Sequence, residues 1–201
     1  MTVHLKKPAA GSIPIVALDS AGFDAAAAAL PPAQRRWLQT LGFRAMPDTH
    51  ALLPGDDGAL AAVWAGVRRA DQPWSLALLP RSLPAGRYHL GDAGLAMDPA
   101  AVAMAWQLGG YVFNRYKPRT RELAQLHLAP SAGAEHGLLL ADAIARVRDL
   151  VNTPAEHMGP EQLGDAAAAL AKTYRARCRQ IVGDALLKQN FPAIHAVGRA
   201  A

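Results

Sequence analysis

Between Ile13 and Pro130 short apolar runs alternate with helix-patterned stretches, and beyond Pro154 that alternation stops. This contrast limits the fold more than any other feature of the chain. Strands alternating with helices predict a layered α/β domain over residues 13 to 130. The tail after Pro154 offers two or three helices and one candidate strand in under 50 residues. A lone strand leaves its backbone N–H and C=O groups unpaired, and so short a segment cannot enclose its own core. Residues 155 to 201 are therefore expected to be a piece of something larger.

Local patterns place the elements. Ile13 to Leu18, after Pro8 and Gly11, reads as a first strand. Pro31 and Pro32 open a helix carrying Trp37, Leu38 and Leu41, which Gly42 ends. Ala51 to Leu53 and Ala59 to Val67 are strands joined by the turn signal Pro54-Gly55-Asp56-Asp57-Gly58. The second is apolar on both faces, as in a covered sheet. Gln72 to Leu79 predicts a short helix and Gly86 to Leu90 a strand. Asp98-Pro99 sets a cap residue before a proline at the first helical position. Val102, Trp106, Gly110 and Phe113 then recur at helical spacing, while Gly109 and Gly110 mark a weak last turn or a close backbone contact. Over Leu123 to Ala129 the pattern alternates, with Ala124, Leu126 and Leu128 on one face and Gln125 and His127 on the other. That suits a half-covered or edge strand.

After Pro130, Leu140, Ile144, Val147 and Val151 recur at i, i+4, i+7 and i+11. Ala134 to Val151 is thus expected to be a long amphipathic helix, its stripe packed on the first domain or on a neighbouring subunit. Asn152 suits its terminus, and Thr153 before Pro154 disfavours further helix. Gly159-Pro160-Glu161 starts another helix, with Leu163, Ala167, Leu170 and Tyr174 on its inner face. Arg177 to Val182 predicts a strand completed by other sequence or another chain. Asp184 to Gln189 and Pro192 to Val197 predict short helices.

Charge and cysteine usage exclude several function classes. The formal net charge is +5. Lys and Arg outnumber Asp and Glu by thirteen to nine up to Pro130 and by eight to seven after it. So small an excess requires no polyanionic partner. The densest basic cluster is Arg115, Lys117, Arg119 and Arg121, interleaved with Tyr111, Phe113 and Tyr116. A nucleic-acid patch has this composition. No nucleic-acid motif accompanies it, so it reads as a solvated loop and nucleic acid is not an expected partner. Cys178 is the only cysteine, which rules out an intramolecular disulfide and suits a reducing compartment, the cytoplasm by default. Met1 to Pro8 lacks the apolar segment of a secretory signal, and no run of some 18 apolar residues occurs. No membrane association is expected.

A search for local catalytic chemistry returns little. Glu135-His136 and Glu156-His157 have no second histidine at the offset of a zinc-protease helix. The histidines, His4, His50, His89, His127, His136, His157 and His195, form no i, i+4 pair and read as structural or exposed. There is no nucleophile elbow, phosphate loop or dinucleotide fingerprint. Cys178 lies between Arg177 and Arg179, a setting that could suit a nucleophile, but a cysteine in a strand reads as packing. Asp56-Asp57 reads as a turn, since nothing near it supplies further oxygen ligands.

The order of segments resembles the leucyl aminopeptidase (cytosol aminopeptidase) family. Arg148-Asp149-Leu150-Val151-Asn152-Thr153-Pro154 followed by Met158-Gly159-Pro160 resembles that family's junction between linker helix and catalytic domain. Val182-Gly183-Asp184 and Phe191-Pro192-Ala193-Ile194-His195-Ala196-Val197-Gly198 resemble its next segments at similar spacing. Pro31-Ala33-Gln34-Arg35, Trp106-Gly109-Tyr111 and Phe113-Arg115-Tyr116 look like the amino-terminal domain of one bacterial branch.

The resemblance implies a macro-like mixed sheet between helix layers over 1–130, a linker helix over 131–154 and the incomplete start of an α/β catalytic domain over 155–201. It implies a hexameric exopeptidase that removes amino-terminal residues from peptides, with two divalent ions (Mn, Zn or Mg) generating the attacking hydroxide. The family's motifs of the form V-G-K-G-x-x-F-D-x-G-G and N-T-D-A-E-G-R do not occur in this chain. No catalytic, metal-binding or substrate-binding residue is therefore assigned, and the 201-residue chain is expected to be inactive alone. A non-catalytic macro-like module binding a nucleotide, nucleic acid or partner subunit is the alternative expectation.

Overall fold

The computed structural model describes residues 2–118 and 120–199, so Arg119 of the basic cluster lies outside the described residues. The described chain divides into two compact units, Met1–Asp149 and Leu150–Ala201.

The first unit is built on a six-stranded sheet: β1 (Val3–Leu5), β2 (Ile13–Leu18), β3 (His50–Pro54), β4 (Leu60–Gly66), β5 (Arg87–Leu90) and β6 (Gln125–Leu128). Their order across the sheet is β1-β6-β5-β2-β4-β3. Every pairing is parallel except β3 with β4. The antiparallel pair is the hairpin expected across Pro54 to Gly58. Gly58 takes a φ of +77°, and Asp57 accepts a hydrogen bond from the N–H of Ala59.

Helices cover the sheet unequally. Ile15 and Ala17 of β2 face a core with Tyr88, Leu126, Val102 and Trp106. That face is covered by a 3-10 turn (Pro73–Leu78), by α3 (Leu79–Ser82) and by α4 (Pro99–Gly109). Asp98 caps α4 by accepting from the N–H groups of Ala100 and Ala101, as its place before Pro99 predicts. On the opposite face Val16 and Leu18 join Trp64, Leu53, Phe23 and Leu38 beneath α1 (Phe23–Ala28) and α2 (Pro32–Thr40). This second core contains no residue of β5, β6 or β1.

The sheet edges are tied by side chains. Trp37 Nε1 and Gln34 Nε2 of α2 donate to the carbonyls of Leu52 and Pro54 on edge strand β3. At the other edge, Gln107 Oε1 of α4 accepts from the N–H groups of Thr2 and Val3. Satisfied edges resist further strand addition. β6 is an interior strand, because β1 beyond it forms the edge.

α5 (Ala132–Asn152) ends at the residue expected, but its seat differs from the one read in its sequence. The buried residues are Ala134, Gly137 and Ala141. The stripe faces outward: Leu140 is 40% exposed, Ile144 38%, Val147 58% and Val151 78%. Small side chains permit a closer backbone approach than leucine or isoleucine. A Cβ on Gly137 would stand 2.1 Å from the carbonyl oxygen of Ala100.

The second unit holds a 3-10 turn (Ala155–His157), α6 (Pro160–Thr173), α7 (Ala185–Lys188) and α8 (Pro192–Gly198). None of these elements contains a buried residue. Residues 177 to 182 form no strand, which corrects the expectation of one there. Among the described residues of this unit no strand offers a ladder, and Cys178 is exposed instead of packed. Among the described residues no helix is long and apolar enough to cross a membrane.

The seat of α5 is testable by comparing two substitutions. Gly137→Ala drives a methyl group into a backbone carbonyl that cannot swing away. It should cost about 1–3 kcal/mol by overpacking, despite a gain of roughly 1 kcal/mol in helix propensity. Ile144→Ala should stay within about 0.5 kcal/mol, as for an exposed site. Urea unfolding of both variants checks this; the reverse order would show that the stripe is the buried face.

Candidate functional site

Among the described residues no group of three or more His, Cys, Asp or Glu could hold a metal ion. Asp56 and Asp57 lie in the hairpin turn, as expected. His195 Nε2 pairs with Asp184 Oδ1 at 3.2 Å in the second unit. His136 lies exposed on α5.

Three other histidines meet. His4 of β1 is in register with His127 of β6, and His127 is in register with His89 of β5. In-register residues of neighbouring strands share a face of the sheet, about 4.8 Å apart. This is the face where the second helix-covered core stops. The His4 and His127 rings meet edge-to-face with centroids 5.8 Å apart, and His127 is 1% exposed. His4 Nε2 and both ring nitrogens of His127 are buried without a hydrogen-bond partner. His89 Nδ1 is hydrogen-bonded to Ser12 Oγ. Loss of hydration lowers the pKa of all three rings, and it is the largest cause for each. The charge of Lys6 lowers His4 and His127 further, Arg87 also lowers His127, and Asp92 opposes the shift at His89. No sequence motif announces this row, since its members come from three distant strands.

A second constellation closes the carboxyl end of α4. Arg81 donates to the carbonyls of Gly109 and Tyr111. Arg148 of α5 donates to the carbonyl of Leu108, and its guanidinium stands 5.4 Å from the centre of the Tyr111 ring. Tyr111 in turn donates to Asp149 Oδ1 at 2.6 Å. The last carbonyls of a helix have no partner within it, and cations beside them are favoured by the helix dipole. The clamp therefore ties α5 to the end of α4 through Arg148 and Asp149, the first two residues of the segment over 148–154 that carries the resemblance. Within the basic cluster, the Arg115 guanidinium stands 5.6 Å from the centre of the Tyr116 ring, and the Phe113 and Tyr116 rings meet at 5.8 Å. Arg121 donates to the carbonyl of Leu83.

Comparison with known proteins gives a consistent assignment. Residues 13–129 match the family described as M17 aminopeptidase, N-terminal domain, and residues 145–201 match the cytosol aminopeptidase family, catalytic domain. A probable cytosol aminopeptidase from Streptomyces griseus is 32% identical over 128 residues, covering 52% of this chain and 25% of that protein. The crystal structure of cytosol aminopeptidase from Coxiella burnetii superposes with a TM-score of 0.77 at 30% identity, covering 87% of this chain and 38% of that one. The bottromycin maturation enzyme BotP in complex with Mn shares the fold, with a TM-score of 0.60 at 21% identity over 82% of this chain and 37% of its own. The chain thus spans well under half the length of each of these relatives.

The histidine row makes the first unit sensitive to acid. Each folded pKa lies below the ordinary 6.5, so the unfolded chain binds more protons in that range. Stability is full above the ordinary value and is lost as the pH falls below it toward the folded values. Thermal unfolding between pH 8 and pH 5 should show this loss, and His127→Asn should flatten it. An unchanged slope in the variant would remove His127 from the titration.

Proposed function

The chain belongs to the M17 cytosol aminopeptidase family, and from that premise we propose that it supplies part of a leucyl aminopeptidase type metallo-exopeptidase. Its contribution is the amino-terminal α/β domain, the linker helix and the opening of the catalytic domain. Such an enzyme removes amino-terminal residues from peptides in the cytoplasm. The observation that carries the reading is the order of the two family matches: amino-terminal domain over 13–129, then catalytic domain over 145–201.

The same reading places the metal chemistry outside these residues. Two-metal hydrolysis needs several convergent ligands around ions about 3.5–4 Å apart, and the described residues offer no such set. Their role is structural: the sheet and α4 hold α5, and α5 leads into the segment that matches the catalytic domain. The outward stripe on α5 suits a surface that further protein covers, in one larger polypeptide or in a homo-oligomer, and so, in the second unit, do the unburied helices α6 to α8.

The 201-residue chain alone should not hydrolyse leucine p-nitroanilide with added Mn²⁺ or Zn²⁺. The measurement is a release assay on purified material with its mass verified. Turnover near 1 per second or faster, an ordinary enzyme rate, that follows the 21.2 kDa species would overturn the proposal.

A further inference from the structure

Between α1 and α2 lies a groove of about 420 Å³, lined by Phe23, Asp24, Ala27, Ala28, Arg35, Leu38, Gln39 and Arg44. It belongs to none of the features described above. Small-molecule sites run from about 300 to 1,000 Å³, so its volume suits a ligand of modest size.

Its chemistry is asymmetric. The floor is apolar, formed by the buried side chains of Phe23, Ala27 and Leu38. Two guanidinium groups stand at its margin, and both are held in place by the protein. Arg35 Nη2 donates to the carbonyls of Ala28 and Leu30 at 3.1 and 3.2 Å, which fixes it against the end of α1. Arg44 Nη1 donates to the carbonyl of Phe43, and its Cζ stands 5.6 Å from the centre of the Phe23 ring. An arginine carries five N–H donors, so each keeps donors free for a ligand. The planar fork of a guanidinium fits a carboxylate in bidentate fashion. The lining also has one acidic side chain, Asp24, in the first turn of α1. A carboxylate lining the same groove is an acceptor for an ammonium group.

We propose that this groove binds a free α-amino acid with an apolar side chain. Its carboxylate meets Arg35 and Arg44, its ammonium meets Asp24, and its side chain lies on Phe23, Ala27 and Leu38. The zwitterion is the occupant that gives both signs of the lining a partner: a simple anion leaves Asp24 facing like charge, and a simple cation meets excess positive charge. The charged lining residues are exposed, and water screens such contacts. Affinity should therefore be weak, with a Kd on the order of 1 mM. An enzyme that removes amino-terminal residues releases this class of molecule, so the groove would respond to product; that link alone rests on the function proposed above.

The test is a titration of the 201-residue chain with L-leucine, followed by calorimetry or by NMR of the Phe23 and Leu38 signals. N-acetyl-leucine, which lacks the ammonium, and leucinamide, which lacks the carboxylate, serve as probes of each contact. Saturable binding of leucine, at least about tenfold weaker for both analogues, is the expected result. Arg44→Gln should weaken leucine binding about tenfold. Asp24→Asn, at an exposed position that the fold does not depend on, should erase the preference for leucine over N-acetyl-leucine. Absence of saturation by leucine at roughly 20 mM overturns the proposal, and so does equal affinity for N-acetyl-leucine. Neither outcome depends on peptidase activity.

Discussion

The first unit hangs on the pairing of β2 with strands on both sides. Backbone N–H and C=O groups cannot be buried unpaired without a large penalty, and β2 is the strand for which this demand is most complete. It meets β4 over Ile15 to Leu18 and β5 over Ile13 to Ile15. Where β5 ends, the N–H groups of Gly91 and Leu95 still reach the carbonyls of Ile15 and Ala17. Val67 does the same for Leu18 on the other side. Gly94 lies against β2 so closely that a Cβ there would stand 2.6 Å from the Ala17 oxygen. With its ladder complete, β2 can bury Ile15 and Ala17 on one face and Val16 and Leu18 on the other. Its partner β4 does the same with Val63 and Ala65 on one face and Trp64 on the other, so this central pair joins both cores.

α5 shows how burial and hydrophobicity can diverge along one helix. The apolar stripe and the seat are neighbouring faces: Ala134, Gly137 and Ala141 repeat at three and four residues, and so do Leu140, Ile144, Val147 and Val151, with the centres of the two sets a little under a quarter-turn apart. The first set lets the helix approach the start of α4 at backbone contact distance. The second set stays exposed to solvent. Arg148 and Asp149 fix the helix at its far end through Leu108 and Tyr111. Seat and clamp together use little apolar area, so most of the hydrophobic surface of α5 stays available.

Much of the first unit was legible in sequence because its signals are local. The Pro54–Gly58 turn, the Asp98-Pro99 cap and the alternation before Pro130 each act over a few residues, and each appears in the fold. β1 was not legible, since three residues beside Lys6 and Lys7 carry too short a pattern. α1 was hidden for another reason: an alanine-rich run favours helix without marking a boundary. The strand expected over 177–182 fails because apolar character can propose a strand but only neighbours can complete one. The seat of α5 was misread because large apolar residues outweigh glycine and alanine in any periodicity count, although glycine and alanine make the closest contact. For the catalytic centre the sequence carries neither of the family's metal motifs, so no site residue was assigned.

The histidine row marks where local reading ends. His4, His89 and His127 are separated by tens of residues, and register alone brings them together. Their strands alternate cleanly: Tyr88 and Leu126 turn to the covered face, so His89 and His127 must turn to the face where helix cover runs out. A large apolar side chain there would extend the second core toward solvent beside an edge strand, and such surfaces recruit other chains. A lysine would be fully charged with two cations, Lys6 and Arg87, already near. Imidazole satisfies both limits, being nearly apolar while neutral and able to pack edge-to-face, as His4 and His127 do. The cost is the set of unpartnered ring nitrogens, which makes the packing of this stretch depend on proton concentration.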